Sequence, residues 1–340
     1  MLSRERVFCA LDHREADRVP IYIWTFGAPI EGPIAKKYGS LNGFFDHYGI
    51  DMVQSFAAKG LQPDSYERPA TGDMSEDALT GRANRGNCYG NVLTIDEALD
   101  ISFRDPADPS IYEPIRRDVE YHKGRKGRAV YVQTPGVFET ATGFVGLQGE
   151  LELLLTEPDK LHELYRRIAT WSSEYVDHCI DIGVDVIHIS DDWGRNDAML
   201  FSPKLWWAHV FPNEQIHARR ARERGAYLSL HCDGYFWPVI DGVLDLGVQC
   251  VHPVQQSAGM DMVRFKREYG DRLTIYGGLD VRTTLGTGDL GKIRQEVADR
   301  MRELKPGGGY VFCTSHMVQP NTTLEEVEAA YEVAAEEAGY

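Results

Sequence analysis

"YLSLHCDGYFWPVIDGVLDLGVQC", residues 227–250, decides the fold. It opens with an apolar run, Tyr227 to Leu230, that reads as a buried strand. The run does not close in ordinary turn residues. It closes in His231, Cys232 and Asp233, and then Gly234. A second apolar segment, "QCVHPV" (249–254), follows after about the length of one helix. Working outward, the same alternation recurs. Strands are expected at "VPIYIW" (19–24), "DMVQSF" (51–56), "RAVYVQT" (128–134), "VDVIHIS" (184–190), "AYLSLH" (226–231), "QCVHPV" (249–254), "LTIYGG" (273–278) and "YVFCTS" (310–315). Most are near-continuous runs rich in Val, Ile and Tyr, as strands covered on both faces must be.

Helical patterns lie between them. "PDKLHELYRRIATWSSEYVDHCIDIG" places apolar residues three and four apart and ends in Gly183, a natural C-cap. "TTLEEVEAAYEVAAEEAG" opens with a threonine able to cap and with carboxylates in its first turn. Alternating strands and helices imply a parallel sheet, and about eight units imply a single-domain α/β fold over 1–340, a (β/α)8 TIM barrel. Residues 57–127 break the alternation. They are polar, contain a hairpin-like "NCYGNVLTI", and read either as an insertion after the second strand that shapes the barrel mouth or as a surface embellishment.

The bulk composition excludes several classes. The formal net charge of −16 argues against nucleic acid or an anionic membrane as partner, and the basic run "HKGRKGR" (122–128) reads as a solvated loop. No apolar run approaches the roughly 20 residues of a membrane span. The start lacks a signal-peptide core, and the six cysteines are scattered, so a cytoplasmic protein with reduced thiols is expected.

In a barrel the strand ends face one mouth. Polar groups gather there from most strands: Trp24 and Thr25, Gln54, Gln133, Thr134 and Glu139, Asp191 and Asp192, His231, Cys232 and Asp233, His252 and Gln255, Asp280, and Ser315 and His316. A barrel built only for stability has no need of this convergence. In "HISDDWGRN" (188–196) only one of the adjacent carboxylates can face the mouth, and Asp191 is the one expected there. Trp193 offers an apolar wall. In "LHCDG", residues 231 and 233 share one side of an extended chain. With His316 they form a His–Asp–His set acceptable for Zn2+, while His231, Cys232 and Cys313 form an alternative set and a metal-free acid–base cluster a third reading. No GxGxxG stands immediately after an expected strand and no GxxxxGK[ST] occurs, which argues against the usual nucleotide sites.

Five stretches, "HREADRVPIYIW", "SDDWG", "LHCDGYFWPVIDGVLDLGVQCVHPVQ", "REYGDRLTIYGGLD" and "GGGYVFCTSHMVQPNTTLEEVEA", resemble in order the uroporphyrinogen decarboxylase superfamily. That group includes the decarboxylases and corrinoid-linked methyltransferases, and the resemblance implies the same barrel. The decarboxylases carry an Arg-rich segment near the N-terminus that grips the substrate's carboxylates. The matching "IWTFGAPIEGP" holds no arginine, although a polyanionic substrate needs fixed cations. The thiol-activating methyltransferases use a His-x-Cys pair and a later Cys. Here the pair reads His231-x-Asp233, and His316 stands at the later position. The resemblance is closest to methyltransferase-like members, and superfamily members often form homodimers.

The function this implies is transfer of a methyl group between a small O- or N-methyl compound and the cobalt of a corrinoid (cobalamin) carried by a separate corrinoid-binding protein. Zn2+ or a protonated histidine would activate the leaving heteroatom. His231, Asp233 and His316 are the candidates for that work, with Asp191 or Glu139 orienting or accepting a proton. Trp24, Phe26, Gln133, Trp193, Tyr235, Phe236, His252, Gln255 and Asp280 are the candidate substrate contacts. The alternatives are a cofactor-free decarboxylase and a non-catalytic binding subunit.

Overall fold

A computed structural model describes residues 1–25, 28–63 and 93–340. Seven strands form one sheet in chain order: β1 (Met52–Ser55), β2 (Ala129–Pro135), β3 (Val186–Ser190), β4 (Tyr227–His231), β5 (Cys250–His252), β6 (Thr274–Leu279) and β7 (Tyr310–Thr314). Every neighbouring pair is parallel. Helices connect the strands, and their buried faces cover the sheet, which curls into a TIM-like barrel.

The expected first strand, 19–24, joins the two sheet edges with less ladder than a full strand. Ile21 bridges Phe312 of β7 in parallel. Tyr22 donates its N–H to the Phe312 carbonyl (2.9 Å), Phe312 donates to Pro20 (2.9 Å), and on the far side Asp51 donates to the Ile21 carbonyl (2.9 Å). The ladder stays short for two reasons. Pro20 has no N–H to give, and the Ile21 N–H goes to Asp51 Oδ2 (2.8 Å). Asp51 is fully buried and also accepts from Arg6 Nη1 (2.5 Å) and Arg18 Nη1 (2.8 Å). One carboxylate thus ties the N-terminal helix, the bridging segment and the entry to β1 together.

The helix Pro158–Ile182 shows why the periodic pattern works. Pro158 sits in the first turn, where its missing N–H costs nothing. Leu161, Leu164, Tyr165, Ile168 and Val176 are buried on one stripe, and Gly183 ends the helix at φ +106°. Helix Leu324–Glu337 starts with a reciprocal cap. Glu326 donates its N–H to Thr323 Oγ1 (3.3 Å), and Thr323 donates its N–H to Glu326 Oε2 (2.8 Å).

Within the stretch expected as an insertion, residues 93–127 hold short α-helices at Ile95–Asp100 and Glu113–Asp118, a 3-10 turn at Pro109–Tyr112 and a π-helical turn at Val119–Arg125. Trp171 Nε1 donates to the Arg104 carbonyl (2.7 Å), fixing this part against helix Pro158–Ile182. The hairpin-like stretch falls mostly on 87–92, outside the described residues, as does Phe26. Among the described residues, Cys9, Cys179, Cys232, Cys250 and Cys313 are free and buried, and no helix is long and apolar enough to cross a membrane.

Candidate functional site

Strand register builds the site. Pro135 pairs with Ser190, Ser190 with His231, and His231 with His252. One row at the C-terminal rim therefore carries a hydroxyl and two imidazoles. The loops after β3 and β4 then clasp each other. Asp233 donates its N–H to Asp192 Oδ1 (2.7 Å), Tyr235 donates to the Arg195 carbonyl (2.8 Å), and Gly234 donates to Gln255 Oε1 (3.0 Å). Gly234 follows the His-Cys-Asp stretch because its φ is +82° and a Cβ there would lie 2.6 Å from the Gly194 carbonyl carbon.

This clasp brings His231, Asp233 and His316 together. One ligand atom from each lies within 4.8 Å of the others. His231 Nε2 is 3.9 Å from Asp233 Oδ1, and His316 Nε2 is 3.6 Å from Asp233 Oδ2. A tetrahedral zinc with ligands at about 2.1 Å needs ligand atoms about 3.4 Å apart, close to the two separations from Asp233. His316 is held from both sides. Ser315 donates its N–H to the Leu279 carbonyl (2.7 Å), and Val318 donates to the Trp24 carbonyl (2.8 Å). Trp24 walls the set, its ring centroid 4.8 Å from that of His316 and 5.3 Å from that of His231.

A second group of three overlaps the first: His188, His231 and His252, all buried. Four of its six ring nitrogens are already engaged. His252 Nε2 lies 3.0 Å from the Thr314 carbonyl oxygen, His252 Nδ1 lies 2.9 Å from His231 Nδ1, and His188 Nδ1 lies 2.9 Å from Ser229 Oγ. A metal held by His252 would have to break one of these bonds, so the inner group is a hydrogen-bonded column and the outer one is the better able to hold an ion. Burial pulls the His231 imidazole down to about 4, with Asp192 opposing and His316 adding to the fall. At neutral pH His231 is a free base, able to ligate or to accept a proton.

The adjacent carboxylates are placed opposite to expectation. Asp191 is fully buried and caps helix Val137–Val145, accepting from the N–H groups of Phe138 (3.2 Å) and Glu139 (2.5 Å) and from Trp193 Nε1 (2.6 Å). Burial, then neighbouring Glu214, push its carboxyl well above the usual carboxylate range. Asp192 instead stands 3.8 Å from His231 Nε2. A Cβ on Gly136 would lie 2.3 Å from the Asp191 Cβ, so helix start and carboxylate are packed too tightly for Asp191 to swing outward.

Other candidates also serve the frame. Trp193 and Phe236 are core residues, 0% and 1% exposed. Cys232 faces away, its Sγ accepting from the Trp193 N–H (3.4 Å), and burial raises its thiol well above the usual range. The Cys313 thiol is pushed up to about 12 by burial. The alternative His231–Cys232–Cys313 set is not among the clusters of the described residues. Asp280 accepts from the N–H groups of Arg282 (2.7 Å) and Thr283 (3.0 Å), which makes it a turn residue. His252 stands behind His231, and Gln255 supports Gly234. Tyr235 is half-buried.

Gln133 and Glu139 border a cleft of about 270 Å³ beside the set, along the ends of β1 to β3. Ser190, the register neighbour of His231, is on its wall and donates to Glu139 Oε2 (3.1 Å). Phe56, Lys59, Trp171 and Tyr175 are also on its wall. Sequence reasoning missed these and His188, and it placed Asp192 behind Asp191. His188 carried a signal, a lone polar residue inside the apolar strand "VDVIHIS".

The family described as Uroporphyrinogen decarboxylase (URO-D) matches residues 100–337. The chain belongs to the URO-D family. It is similar to a uroporphyrinogen decarboxylase of Coxiella burnetii, 25% identical over 185 residues that cover 53% of this chain and 48% of the relative. It is likewise 25% identical over 285 residues to that of Methylococcus capsulatus, covering 73% and 78%. The chain thus spans about half the length of the first relatives it matches. Among solved structures, a methyltransferase from Methanosarcina mazei is similar in fold, with TM-score 0.68, 18% identity and 99% of both chains covered. A B12-independent methionine synthase from Shewanella sp. W3-18-1 has TM-score 0.50, 14% identity and coverage of 90% and 88%. At these identities both likenesses concern the fold alone. Two arginines lie in the loops beyond the rim of this URO-D barrel: Arg195 is exposed and paired with Asp197 (2.8 Å), and Arg282 Nη1 donates to Asn196 Oδ1 (2.8 Å).

Proposed function

We propose that this URO-D family protein is a methyltransferase that moves a methyl group between a small O- or N-methyl compound and a corrinoid carried by a separate protein. The observation that carries the reading is the His231–Asp233–His316 group at the rim, with Arg195 of the loop after β3 paired to Asp197. The fold likeness to a methyltransferase agrees with it.

These three residues fit Zn2+: two imidazoles and a carboxylate converge, and burial keeps His231 unprotonated. Held there, Zn2+ supplies Lewis-acid polarisation of the heteroatom that leaves the methyl group. The protein's own groups do the rest. Asp192 holds the Asp233 backbone and faces His231, fixing both. Trp24 packs on both imidazoles and keeps water from one side. Ser190 and Glu139 form the polar edge of the adjoining cleft, where the body of the substrate is held.

The names of the sequence relatives favour a second reading, decarboxylation of a smaller carboxylic acid without a cofactor. One experiment separates them. The full chain is assayed for metal content, then mixed with a reduced corrinoid protein and a panel of O- and N-methyl compounds while the visible spectrum is followed. Methyl transfer changes the cobalt spectrum, and His316→Ala and Asp233→Ala abolish the change. Release of CO2 from carboxylic acids, with no cobalt methylation by any donor, would sink the methyltransferase reading.

A further inference from the structure

We propose that His252 is a positioning residue that fixes the tautomer of His231, leaving the His231 Nε2 lone pair directed at the rim. The inference rests on the role proposed above for His231. The Thr314 carbonyl on β7 can only accept. It lies 3.0 Å from His252 Nε2, so that nitrogen carries a hydrogen. The other nitrogen, His252 Nδ1, is 2.9 Å from His231 Nδ1. At that separation one nitrogen donates and the other accepts.

Which one donates follows from the surroundings. His252 is 2% exposed and packs against the rings of Tyr276 (4.6 Å), Trp24 (5.4 Å) and His188 (6.2 Å). Its two ring nitrogens meet a carbonyl and another imidazole. Among the described residues, no carboxylate pairs with it. A second hydrogen on His252 would bury an uncompensated charge in that aromatic setting. His252 Nδ1 is therefore the acceptor and His231 Nδ1–H the donor. His231 Nε2 is left bare, and this is the atom 3.9 Å from Asp233 Oδ1 and 3.8 Å from Asp192 Oδ1. The opposite tautomer would aim a hydrogen at the rim and block coordination there. A backbone carbonyl of β7 thus sets, through one imidazole, which atom of the next imidazole does chemistry. Neither the sequence pattern nor the cluster geometry alone makes this assignment.

The test is long-range 1H–15N correlation spectroscopy of the full chain labelled with 15N-histidine, at neutral pH and without added metal, with His231→Asn used for assignment. The expected spectrum shows His231 with Nδ1 protonated and Nε2 bare, and His252 with Nε2 protonated. A wild-type His231 protonated at Nε2 overturns the proposal. His252→Gln keeps an acceptor for His231 and a donor for Thr314, whereas His252→Phe keeps neither. Accordingly His252→Phe shifts His231 toward the Nε2–H form and weakens Zn2+ binding about 10- to 100-fold, while His252→Gln stays within about threefold of wild type. A His231 tautomer unchanged by His252→Phe overturns the proposal too. The wild-type spectrum needs neither metal nor methyl transfer, so it can uphold or overturn the tautomer assignment while the proposed activity stands or falls separately.

Discussion

Replacing Asp51 by alanine should loosen the barrel at its seam. Asp51 is fully buried and receives Arg6 Nη1 (2.5 Å), Arg18 Nη1 (2.8 Å), Arg18 Nη2 (3.1 Å) and the Ile21 N–H (2.8 Å). Removing one partner of a buried ion pair costs about 3–5 kcal/mol, because the other charge is left uncompensated. An orphaned backbone N–H adds about 1–3 kcal/mol. Two features pull the total down. Arg6 keeps Asp17 as a bidentate partner, and Arg18 is about a quarter exposed with the Gly49 and Val19 carbonyls still in reach. The balance is a loss of about 4 kcal/mol, a large share of the ~5–15 kcal/mol that holds a typical domain folded. Urea unfolding at pH 7, followed by circular dichroism, reads the loss directly. The double variant Asp51→Ala with Arg18→Ala should lose less than the sum of the single losses, by about 1–3 kcal/mol, because the two residues share one network. A loss below about 1 kcal/mol for Asp51→Ala, or strict additivity in the pair, would refute the claim that this carboxylate joins the bridging segment to the sheet.

Further outcomes follow from the same structure. Gly234→Ala should cost about 3 kcal/mol, from its positive φ and from a Cβ that meets the Gly194 and Arg195 backbone, and should weaken Zn2+ binding as Asp233 is displaced; calorimetric unfolding and metal titration check both. Asp191→Ala should lower stability by about 3 kcal/mol through the lost cap and the orphaned Trp193 N–H yet spare metal affinity, whereas Asp192→Ala should weaken metal binding, as parallel titrations would show. His122, at the base of the barrel, is pulled down to about 4, first by burial and then by Arg128. Since the unfolded imidazole titrates near 6.5, its neutral burial stabilises the fold above that pH, and the contribution is lost as pH falls from about 6.5 toward 4. His122→Gln should therefore lose about 2 kcal/mol less than wild type between pH 7 and pH 4.5 in urea unfolding. An unchanged pH dependence would show that His122 is not buried in the neutral form.

Much of this protein is legible in one dimension. Strand positions follow from short apolar runs, because a strand covered on both faces has no polar face to show. All seven strands of the sheet lie where such runs predict them, and the eighth run is the bridging segment 19–24. His231, Asp233 and His316 could be named in advance because a parallel barrel sends every strand end to one rim, whatever the distance along the chain. Side-chain direction after a strand end could not be read. Asp191 and Asp192 are chemically alike and adjacent, and a tightly packed Gly136 and a helix N-terminus from β2's far end decided which one was taken for capping. Cys232 and His252 likewise acquired their roles from neighbours 39 and 21 residues away. Local pattern determines where the chain is extended or helical, since that depends on residues a few places apart. The direction of each polar group at the rim depends on contacts between segments that only the closed barrel brings together.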